Sequence, residues 1–295
     1  MAQAIEAEVR RVSALAIRPM TRADLDIALD WAAAEGWNPG LHDRDPFFAA
    51  DPGGFLIGFV GDAPAAVVSV VAYGDAYGFL GLYIVAPPFR GEGHGIAIWR
   101  AGMDRLGGRT VALDGVVAEQ ANYARSGFVP MHRTIRYAGV ASAHEIADPR
   151  IVELRQDRPP GLAGAVIAYD RTIFPAPRAA FLRAWLTPPG RRTVAFVADN
   201  TIRGYGSVRA CREGYKVGPL FADSEEVAER VFCALTGRLF GASVSIDVPE
   251  PNVSGRALAE RHGLAPVFET ARVVRGTPAA ELLGKIYGVT SLELG

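Results

Sequence analysis

The chain has 295 residues, of which 49% are hydrophobic and 21% charged, and its formal net charge is −1. This length suits two domains of ordinary size, and the composition is typical of a folded globular protein. The near-neutral charge, without a long run of Lys or Arg, excludes a role that depends on neutralising nucleic-acid phosphates. We find no apolar run long enough to cross a bilayer and no signal-peptide pattern, so we expect a cytoplasmic protein without a membrane partner.

The first half of the chain alternates helix and strand patterns. It begins with a short strand at residues 17–19, and Thr21 is a candidate N-cap for the helix that follows. Strands at residues 55–60 and 65–73 are joined by Gly61-Asp62, a pair typical of a hairpin turn. The remaining patterns predict strands at 79–85, 110–113 and 129–137, a helix with Ile96, Trp99, Met103 and Leu106 on one face, and a short helix from Glu119 to Gly127.

The second half repeats this order of elements. Residues 138–160 have poor periodicity and several prolines, and we place the boundary there, between domains at residues 1–140 and 141–295. A hairpin around Asp199-Asn200, strands at 217–220 and 243–248, and helices capped by Ser224 and at 256–262 follow. Five residues recur at constant spacing: Arg125, Gly127, Pro130, Thr134 and Arg136 match Arg261, Gly263, Pro266, Thr270 and Arg272.

The segment after the strand at 79–85 is the most informative. Two prolines end the strand, and Arg90-Gly91-Glu92-Gly93-His94-Gly95 leads into a helix. Glycines let the backbone approach a ligand closely, and a helix start has unpaired N–H groups and the positive end of a dipole. The segment therefore predicts a phosphate or pyrophosphate site. Its R-x-x-G-x-G spacing, and the lack of a Walker lysine, argue against a Rossmann dinucleotide site and a P-loop.

This order of residues resembles the GCN5-related N-acetyltransferases. Their signature is a strand, a proline and R/Q-x-x-G-x-G/A at a helix start, followed later by a tyrosine shortly before Gly-Phe. Here Arg90, Gly93 and Gly95 precede Tyr123 and Gly127-Phe128. The resemblance covers about residues 17–137, and EGWNPG, GYKVGPLFAD and YGVTSLELG resemble a two-domain bacterial subgroup with a degenerate second copy. It implies an α/β fold of tandem acetyltransferase-like domains, each a twisted, mostly antiparallel sheet flanked by helices.

The resemblance implies roles for individual residues. Acetyl-CoA would bind the first domain as co-substrate, with its pantetheine arm along a strand end and its pyrophosphate on the glycine-rich amides. Tyr123 would donate a proton to the departing thiolate, because a phenol of ordinary pKa stays protonated at neutral pH. His94 is expected to be exposed. The predicted cofactor-binding residues are Tyr83, Ile84, Val85, Arg90, Gly91, Glu92, Gly93, His94, Gly95 and Ile96.

Two features depart from the family pattern. Val116 stands where many members have an asparagine, and Asn122 is more typical of a surface polar residue than of a replacement. In the second copy, Ala259 stands at the tyrosine position, and the loop at residues 221–226 has carboxylates in place of the arginine and glycines. Acidic side chains repel a pyrophosphate, so we expect the second domain not to bind CoA.

Acyl transfer to an amine also needs a group that removes a proton from the nitrogen. Glu35, Asp43, Asp45 and Asp75 are candidates by position, although each is more typical of a solvated or capping carboxylate. The turn-rich segment at residues 35–48 lies where the family builds its acceptor wall, and a strand end in the second half is a second candidate wall. The candidate acceptor residues are Trp37, Asn38, Asp45 and Asp223.

Together these features predict an enzyme that transfers an acetyl group from acetyl-CoA directly to a primary amine of a small molecule, with Tyr123 as general acid. The second domain would be structural or would shape the acceptor cleft. The alternative is a non-catalytic acyl-CoA-binding sensor. A third possibility is an enzyme with the same fold but different chemistry, such as transfer of another acyl chain or a decarboxylation. Only two cysteines, Cys211 and Cys233, are present, so we expect no metal site. A homodimer is compatible with the sequence.

Overall fold

The computed structural model describes residues 15–142, 147–155, 159–278 and 281–295. Every helix and strand predicted above is present, with ends that differ by a few residues, and none of the described helices is long and apolar enough to span a membrane. The first half contains β1 (Ala16–Pro19), α1 (Arg22–Ala34), α2 (Arg44–Ala50), β2 (Phe55–Val60), β3 (Ala63–Tyr73), β4 (Tyr77–Val85), α3 (His94–Leu106), β5 (Thr110–Val116), α4 (Gln120–Arg125) and β6 (Val129–Val140). The second half contains β7 (Ile151–Leu154), α5 (Leu162–Asp170), α6 (Ala179–Trp185), β8 (Arg191–Ala198), β9 (Thr201–Ala210), β10 (Tyr215–Ala222), α7 (Glu225–Thr236), β11 (Ser243–Pro249), α8 (Val253–Arg261), β12 (Ala265–Arg275) and β13 (Ile286–Gly288).

Local sequence explains where several elements begin and turn. The Thr21 hydroxyl accepts a hydrogen bond from Asp24 N at 3.2 Å, and the Asp24 carboxylate accepts one from Thr21 N at 2.7 Å, which forms a capping box at the start of α1. Gly61 and Asp199-Asn200 turn the two predicted hairpins with positive φ angles. These predictions are confirmed.

Helix α3 buries a slightly different face from the one predicted. Ile96 is 47% exposed, whereas Ile98 is fully buried. Ile98 lies one turn before Gly102, and the missing side chain of Gly102 lets Val70 of β3 approach the helix. The row of residues through Ile98 therefore faces the sheet, and the inclusion of Ile96 in the buried face was wrong.

Some helices and strands lie where the sequence predicts a loop or where its pattern gives no prediction. Helix α2 overlaps the end of the turn-rich segment at 35–48, and β7 falls within the boundary region. Helix α2 packs against α6 through Phe47 and Trp185, whose rings stack with centroids 6.2 Å apart. Short helices gain most of their stability from such long-range contacts, so their local periodicity does not reveal them.

The predicted pair of mostly antiparallel sheets flanked by helices is confirmed, and the two sheets are continuous. The strand order is β1-β2-β3-β4-β5-β12-β6-β11-β10-β9-β8-β7, with β13 also paired to β10. Strand β12 of the second half lies between β5 and β6, and β6 of the first half lies between β12 and β11. The halves therefore exchange their last long strands. The boundary at residue 140 stays a prediction.

The residues shared by the two copies lie around this exchange. Thr134 and Thr270 face each other in the central β6–β12 pair. Arg136 forms two hydrogen bonds with Asp247 of β11, at 2.7 and 2.9 Å. Arg272 forms the matching pair with Asp114 of β5, at 2.9 and 2.7 Å. The repeat seen in the sequence thus corresponds to an approximately two-fold arrangement of buried ion pairs.

The two halves differ at one point in the sheet. Strands β4 and β5 are parallel neighbours only as far as the Leu80–Leu113 pair, and beyond it they separate. Strands β10 and β11 likewise pair only as far as Val217. There β13 takes the free edge of β10, with Gly288 opposite Leu220. The opening in the first half has no strand in it among the described residues, whereas the opening in the second half is filled by the chain itself.

Candidate active site

A cavity of about 410 Å³ opens where β4 and β5 separate. The first half contributes β4, β5, α3, α4 and the end of α1 to its walls, and the second half contributes β12 and the segment at residues 289–295. The lining includes Glu35, Trp37, Tyr123, Arg136 and Glu293. Both halves therefore form this site.

The glycine-rich segment forms the start of α3 beside this cavity. Gly91 and Gly93 have φ angles of +80° and +84°, a region that favours glycine. Gly93 is the N-cap of α3, so the N–H groups of the first turn have no partner within the helix. A Cβ at Gly95 would lie 2.6 Å from the Tyr83 hydroxyl oxygen, so glycine allows this close packing. The local geometry is that of an anion site.

Arg90 connects the end of β4 to the end of α1. Its Nε donates to the Val85 carbonyl oxygen at 2.9 Å, and its guanidinium forms an ion pair with Glu35. Both charged side chains are partly exposed at the rim of the cavity. An anionic ligand at the start of α3 would compete with Glu35 for this guanidinium.

His94 lies in an environment different from the one expected. Its side chain is only 3% exposed, so the expectation that it is exposed was wrong. Its ring lies edge-on to Phe89 at 6.1 Å between centroids, and its Nε2 is 3.4 Å from a Glu92 carboxylate oxygen. His94 therefore packs the first turn of α3 against the turn that precedes it.

The end of β4, residues 83–85, borders the cavity with one free edge. Its other edge pairs with β3, and a bulge at Leu82, where φ is +44°, interrupts that pairing. Among the described strands, none pairs with β4 beyond Leu80 on the cavity side. Free backbone groups on such an edge can pair with an extended ligand.

Tyr123 lies on α4 with its ring stacked over Trp99, at 6.0 Å between centroids. The ring covers Gly115 of β5, where a Cβ would lie 2.2 Å from a ring carbon. Tyr123 lines the cavity with 9% of its surface exposed. Burial, and to a smaller extent the charge of Glu119, raises the pKa of the phenol to about 12. The phenol therefore keeps its proton at neutral pH.

The position of the missing asparagine lies in the same wall. Val116 ends β5 and lines the cavity. Asn122 is exposed and hydrogen-bonded to Glu119 and Arg125, which is the surface role expected for it. It lines a second groove of about 640 Å³ between α3 and α4 that shares Tyr83 and Tyr123 with the cavity. Three arginines also line this groove: Arg100, Arg125 and Arg275.

Trp37 is the one predicted acceptor residue that lines the cavity. Its carbonyl oxygen accepts hydrogen bonds from Arg136 Nη1 at 3.3 Å and Lys216 Nζ at 3.2 Å. The neighbouring Asn38 is directed to the second half, where its side chain bonds the backbone of Glu213 at 2.8 and 3.0 Å. These two residues connect the halves, and of the two only Trp37 borders the cavity.

Asp45 and Asp223 are not among the cavity-lining residues. Asp45 is exposed and pairs with Arg22 at 2.8 Å. The Asp223 carboxylate accepts hydrogen bonds from the Tyr169 hydroxyl at 3.0 Å and from Lys285 Nζ at 2.9 Å. Both carboxylates have cationic partners in this structure, and their assignment to the acceptor site stays a prediction.

Of the carboxylates considered as bases, Glu35 lines the cavity. Asp43 is 1% exposed and lies between Arg191, at 2.6 Å, and Arg209, at 3.2 Å. Asp75 is exposed in the turn before β4. Asp43 and Asp75 are absent from the described cavity lining, and Asp43 connects α2 to strands of the second half.

The sequence did not predict the part of the cavity that comes from later in the chain. Phe268 and Thr270 of β12, and Leu292 and Glu293 near the last described residue, line the cavity, as does Arg136 of β6. The internal repeat contained Arg136 and Thr270, but their place in the cavity depends on the strand exchange. No local pattern distinguishes Glu293.

One cluster outside the cavity contains metal-ligating side chains. Glu229, Cys233 and His262 have ligand atoms within 4.8 Å of one another on α7 and α8. Glu229 accepts a hydrogen bond from His262 Nε2 at 2.6 Å and pairs with Arg261 at 3.1 Å. Burial and the Glu229 charge raise the pKa of the Cys233 thiol to about 12, so the thiol stays protonated. The cluster is a hydrogen-bonded network that connects two helices.

Comparison with known proteins gives matches to both sequence and fold. A family model described as an acetyltransferase (GNAT) domain matches residues 166–288, which lie in the second half. The chain is 33% identical over 279 residues to holothin acyltransferase from Pseudoalteromonas sp. (strain SANK 73390), covering 94% of each chain. The family match thus lies in one half, whereas the open cavity lies mainly in the other.

Solved structures match over nearly the whole chain. A Pyrococcus horikoshii protein assigned as an acetyltransferase has a TM-score of 0.78 at 24% identity, covering 95% of this chain and 96% of that one. A tandem GNAT protein from the clavulanic acid biosynthesis pathway has a TM-score of 0.60 at 15% identity, covering 90% and 100%. The structures show the fold, and the relative at 33% identity shows the family. The chain belongs to the GCN5-related N-acetyltransferase family and is an acyltransferase.

Proposed function

We propose that this acyltransferase moves an acetyl group from acetyl-CoA to a primary amine of a small molecule, at the cavity between β4 and β5. The observation that carries the proposal is the free edge of β4 beside the glycine-rich start of α3, with Tyr123 in the same cavity. The corresponding edge of β10 is taken by β13. Because, of these two edges, only that of β4 is free among the described strands, we expect each chain to bind one donor molecule.

The donor would bind as an added strand. Its pantetheine arm carries amides that can pair with the backbone of residues 83–85, in the manner of β-augmentation. Its pyrophosphate would accept hydrogen bonds from the first-turn amides of α3, and the dipole of the helix favours that charge. Arg90 at the rim of the cavity and the three arginines of the second groove, between α3 and α4, would supply positive charge for the remaining phosphate oxygens.

Tyr123 would act on the departing sulfur. A phenol with a pKa near 12 holds its proton more tightly than an ordinary thiol, whose pKa is about 8.5. Complete transfer to the thiolate therefore costs about 5 kcal/mol in the empty site. We infer that Tyr123 stabilises the sulfur by a hydrogen bond as the C–S bond breaks, and that the proton moves as the amine nitrogen loses its own.

The acceptor would enter from the side bordered by Trp37, Phe268 and Leu292. Apolar and aromatic walls of this size suit a small organic molecule. The relative is named as an acyltransferase of holothin, so holothin is the first acceptor to test. The sensor alternative predicts acyl-CoA binding without turnover, and the presence of Tyr123 in the cavity favours catalysis.

The test is turnover with defined donors and acceptors. Purified protein is incubated with acetyl-CoA and a panel containing holothin, 2-phenylethylamine and aliphatic diamines, and released CoA thiol and acetylated product are measured together. We expect amide product in a one-to-one ratio with CoA. Tight acetyl-CoA binding without product from any amine supports the sensor, and faster turnover of a longer acyl-CoA corrects the donor.

A further inference from the structure

Four carboxylates line the described part of the cavity, and three of them have hydrogen-bonding partners. Glu35 and Asp114 each pair with an arginine, and Glu119 accepts a hydrogen bond from an asparagine side chain. The fourth, Glu293, is 4% exposed. Its place in the cavity was not predictable from any local motif, and the mechanism described above gives it no role.

Hydrogen bonds to the backbone hold Glu293 in position. The Ser69 hydroxyl donates to the Glu293 carbonyl oxygen at 3.4 Å, and the Tyr73 hydroxyl donates to the carbonyl oxygen of Leu294 at 2.9 Å. Arg178 donates to the carbonyl oxygen of the last described residue at 2.9 Å. The first two bonds fix residues 293–294 on β3 and the third fixes residue 295 at the start of α6, and all three use main-chain oxygens. In the part of the chain that the structure describes, the Glu293 carboxylate itself has no hydrogen-bond partner.

The backbone of Glu293 lies against the point on β4 where its free edge begins, the edge that is proposed to bind the donor. A Cβ at Gly81 would be 2.2 Å from the Glu293 carbonyl oxygen, so glycine is required for this contact. Gly81 lies between Leu80, the last residue of β4 that pairs with β5, and the bulge at Leu82. Under the proposed function the thioester end of the donor lies in this part of the cavity, and Tyr123 lines the same space from α4.

Three cations, Arg136, Lys216 and Arg209, lie within electrostatic reach of Glu293, and among the described residues none forms a hydrogen bond with its carboxylate. Arg136 donates to Asp247 at 2.7 and 2.9 Å. Lys216 donates to two backbone carbonyl oxygens at 3.2 and 3.1 Å. Arg209 donates to Asp43 at 3.2 Å and to the Thr290 carbonyl oxygen at 3.3 Å, and its Nη2 has no hydrogen-bond partner among the described residues. These cations balance the charge of Glu293 without a direct hydrogen bond, so the carboxylate oxygens stay available for a ligand. The titratable groups of this buried cluster are Asp43, Arg136, Arg209, Cys211, Lys216 and Asp247.

Resting on the proposed function, we infer that Glu293 receives the amino group of the acceptor and removes a proton from it. The acceptor class is then a primary alkylammonium with an apolar body that fits between Trp37 and Phe268. An ammonium loses two protons on becoming an amide. One passes to the Glu293 carboxylate and on to solvent, which frees the lone pair that forms the C–N bond. The other reaches the sulfur through Tyr123 as the C–S bond breaks.

Binding tests this role independently of turnover. Calorimetry on the CoA-bound protein compares 2-phenylethylammonium with its uncharged analogue 2-phenylethanol. We expect the wild type to prefer the ammonium at least tenfold, and Glu293→Gln to lose that preference. Glu293→Asp keeps the charge and should keep the preference, which separates loss of charge from loss of folding. Asp75→Asn, an exposed carboxylate outside the described cavity lining, is the matched control and should behave as wild type.

Rates give the second readout. With 2-phenylethylamine, Glu293→Gln should lower kcat/KM about a hundredfold at pH 7, and the gap should narrow toward pH 10 as the free amine becomes abundant. A wild type without preference for the ammonium, or a Gln variant that keeps it, overturns the inference. If the wild type transfers no acetyl group to any amine, the proposed function fails, and the binding comparison still reports on Glu293.

Discussion

At the scale of the residue, the chemistry of Tyr123 depends on three neighbours. Gly115 leaves room for the ring, Trp99 covers one face of it, and Glu119 adds negative charge nearby. The raised pKa means that no ionisation of this phenol occurs between pH 6 and about 10. Its proposed contribution to catalysis should therefore be constant over that range of pH.

Tyr123→Phe should lower kcat about a hundredfold, because the change removes one proton donor and keeps the stacked ring. Affinity for acetyl-CoA should stay within twofold of wild type. The measurement is kcat for both proteins at pH 7, 8.5 and 10, and the ratio should be the same at each pH. A ratio that falls toward one at pH 10 would mean that the phenol ionises near its ordinary pKa. An unchanged rate at pH 7 would assign Tyr123 to packing.

At the scale of the element, the exchange of β6 and β12 determines how the halves depend on each other. Strand β12 lies between β5 and β6. Each of these three strands has an arginine or an aspartate that forms an ion pair with a residue of the other half. Removing one partner of such a buried pair costs about 3–5 kcal/mol. Neither half has a complete sheet without the other.

Residues 1–150 expressed alone should therefore fail to fold. The fragment lacks β12, and it leaves Asp114 without Arg272 and Arg136 without Asp247. Circular dichroism and proton NMR of the fragment should show little stable tertiary structure, and co-expression with residues 151–295 should restore a soluble complex. A soluble fragment with dispersed resonances would contradict the importance of the exchange.

The sequence predicted those elements whose signals are local. Thr21 caps α1, Asp199-Asn200 turns a hairpin, and the glycines from Gly91 to Gly95 open α3, all within a few residues of the chain. It did not predict the strand exchange or the filling of the second opening by β13, because both depend on pairing between distant strands. For the same reason the glycine-rich helix start and Tyr123 could be proposed from local motifs, whereas the place of Glu293 in the cavity could not.

At the scale of the whole molecule, one fold is used twice with different outcomes. In the first half the free strand edge and Tyr123 line one cavity, and the glycine-rich helix start packs beside that edge through Gly95. In the second half β13 takes the corresponding edge, Ser224 and two glutamates begin α7, and the chain continues to the cavity of the first half. The second half thus closes its own opening and contributes a wall to the other.

The central claim is that each chain binds one acetyl-CoA, at the start of α3. Calorimetric titration of acetyl-CoA should give one site per chain, and Gly93→Val should weaken binding at least tenfold, because valine strains the positive φ and crowds the amides. Gly161→Val is the matched control: Gly161 also caps a helix, with a φ of +82° and no atom within 4 Å of its Cβ position. It should leave affinity unchanged. Two equivalent sites per chain, or equal affinity in Gly93→Val and wild type, would contradict the account.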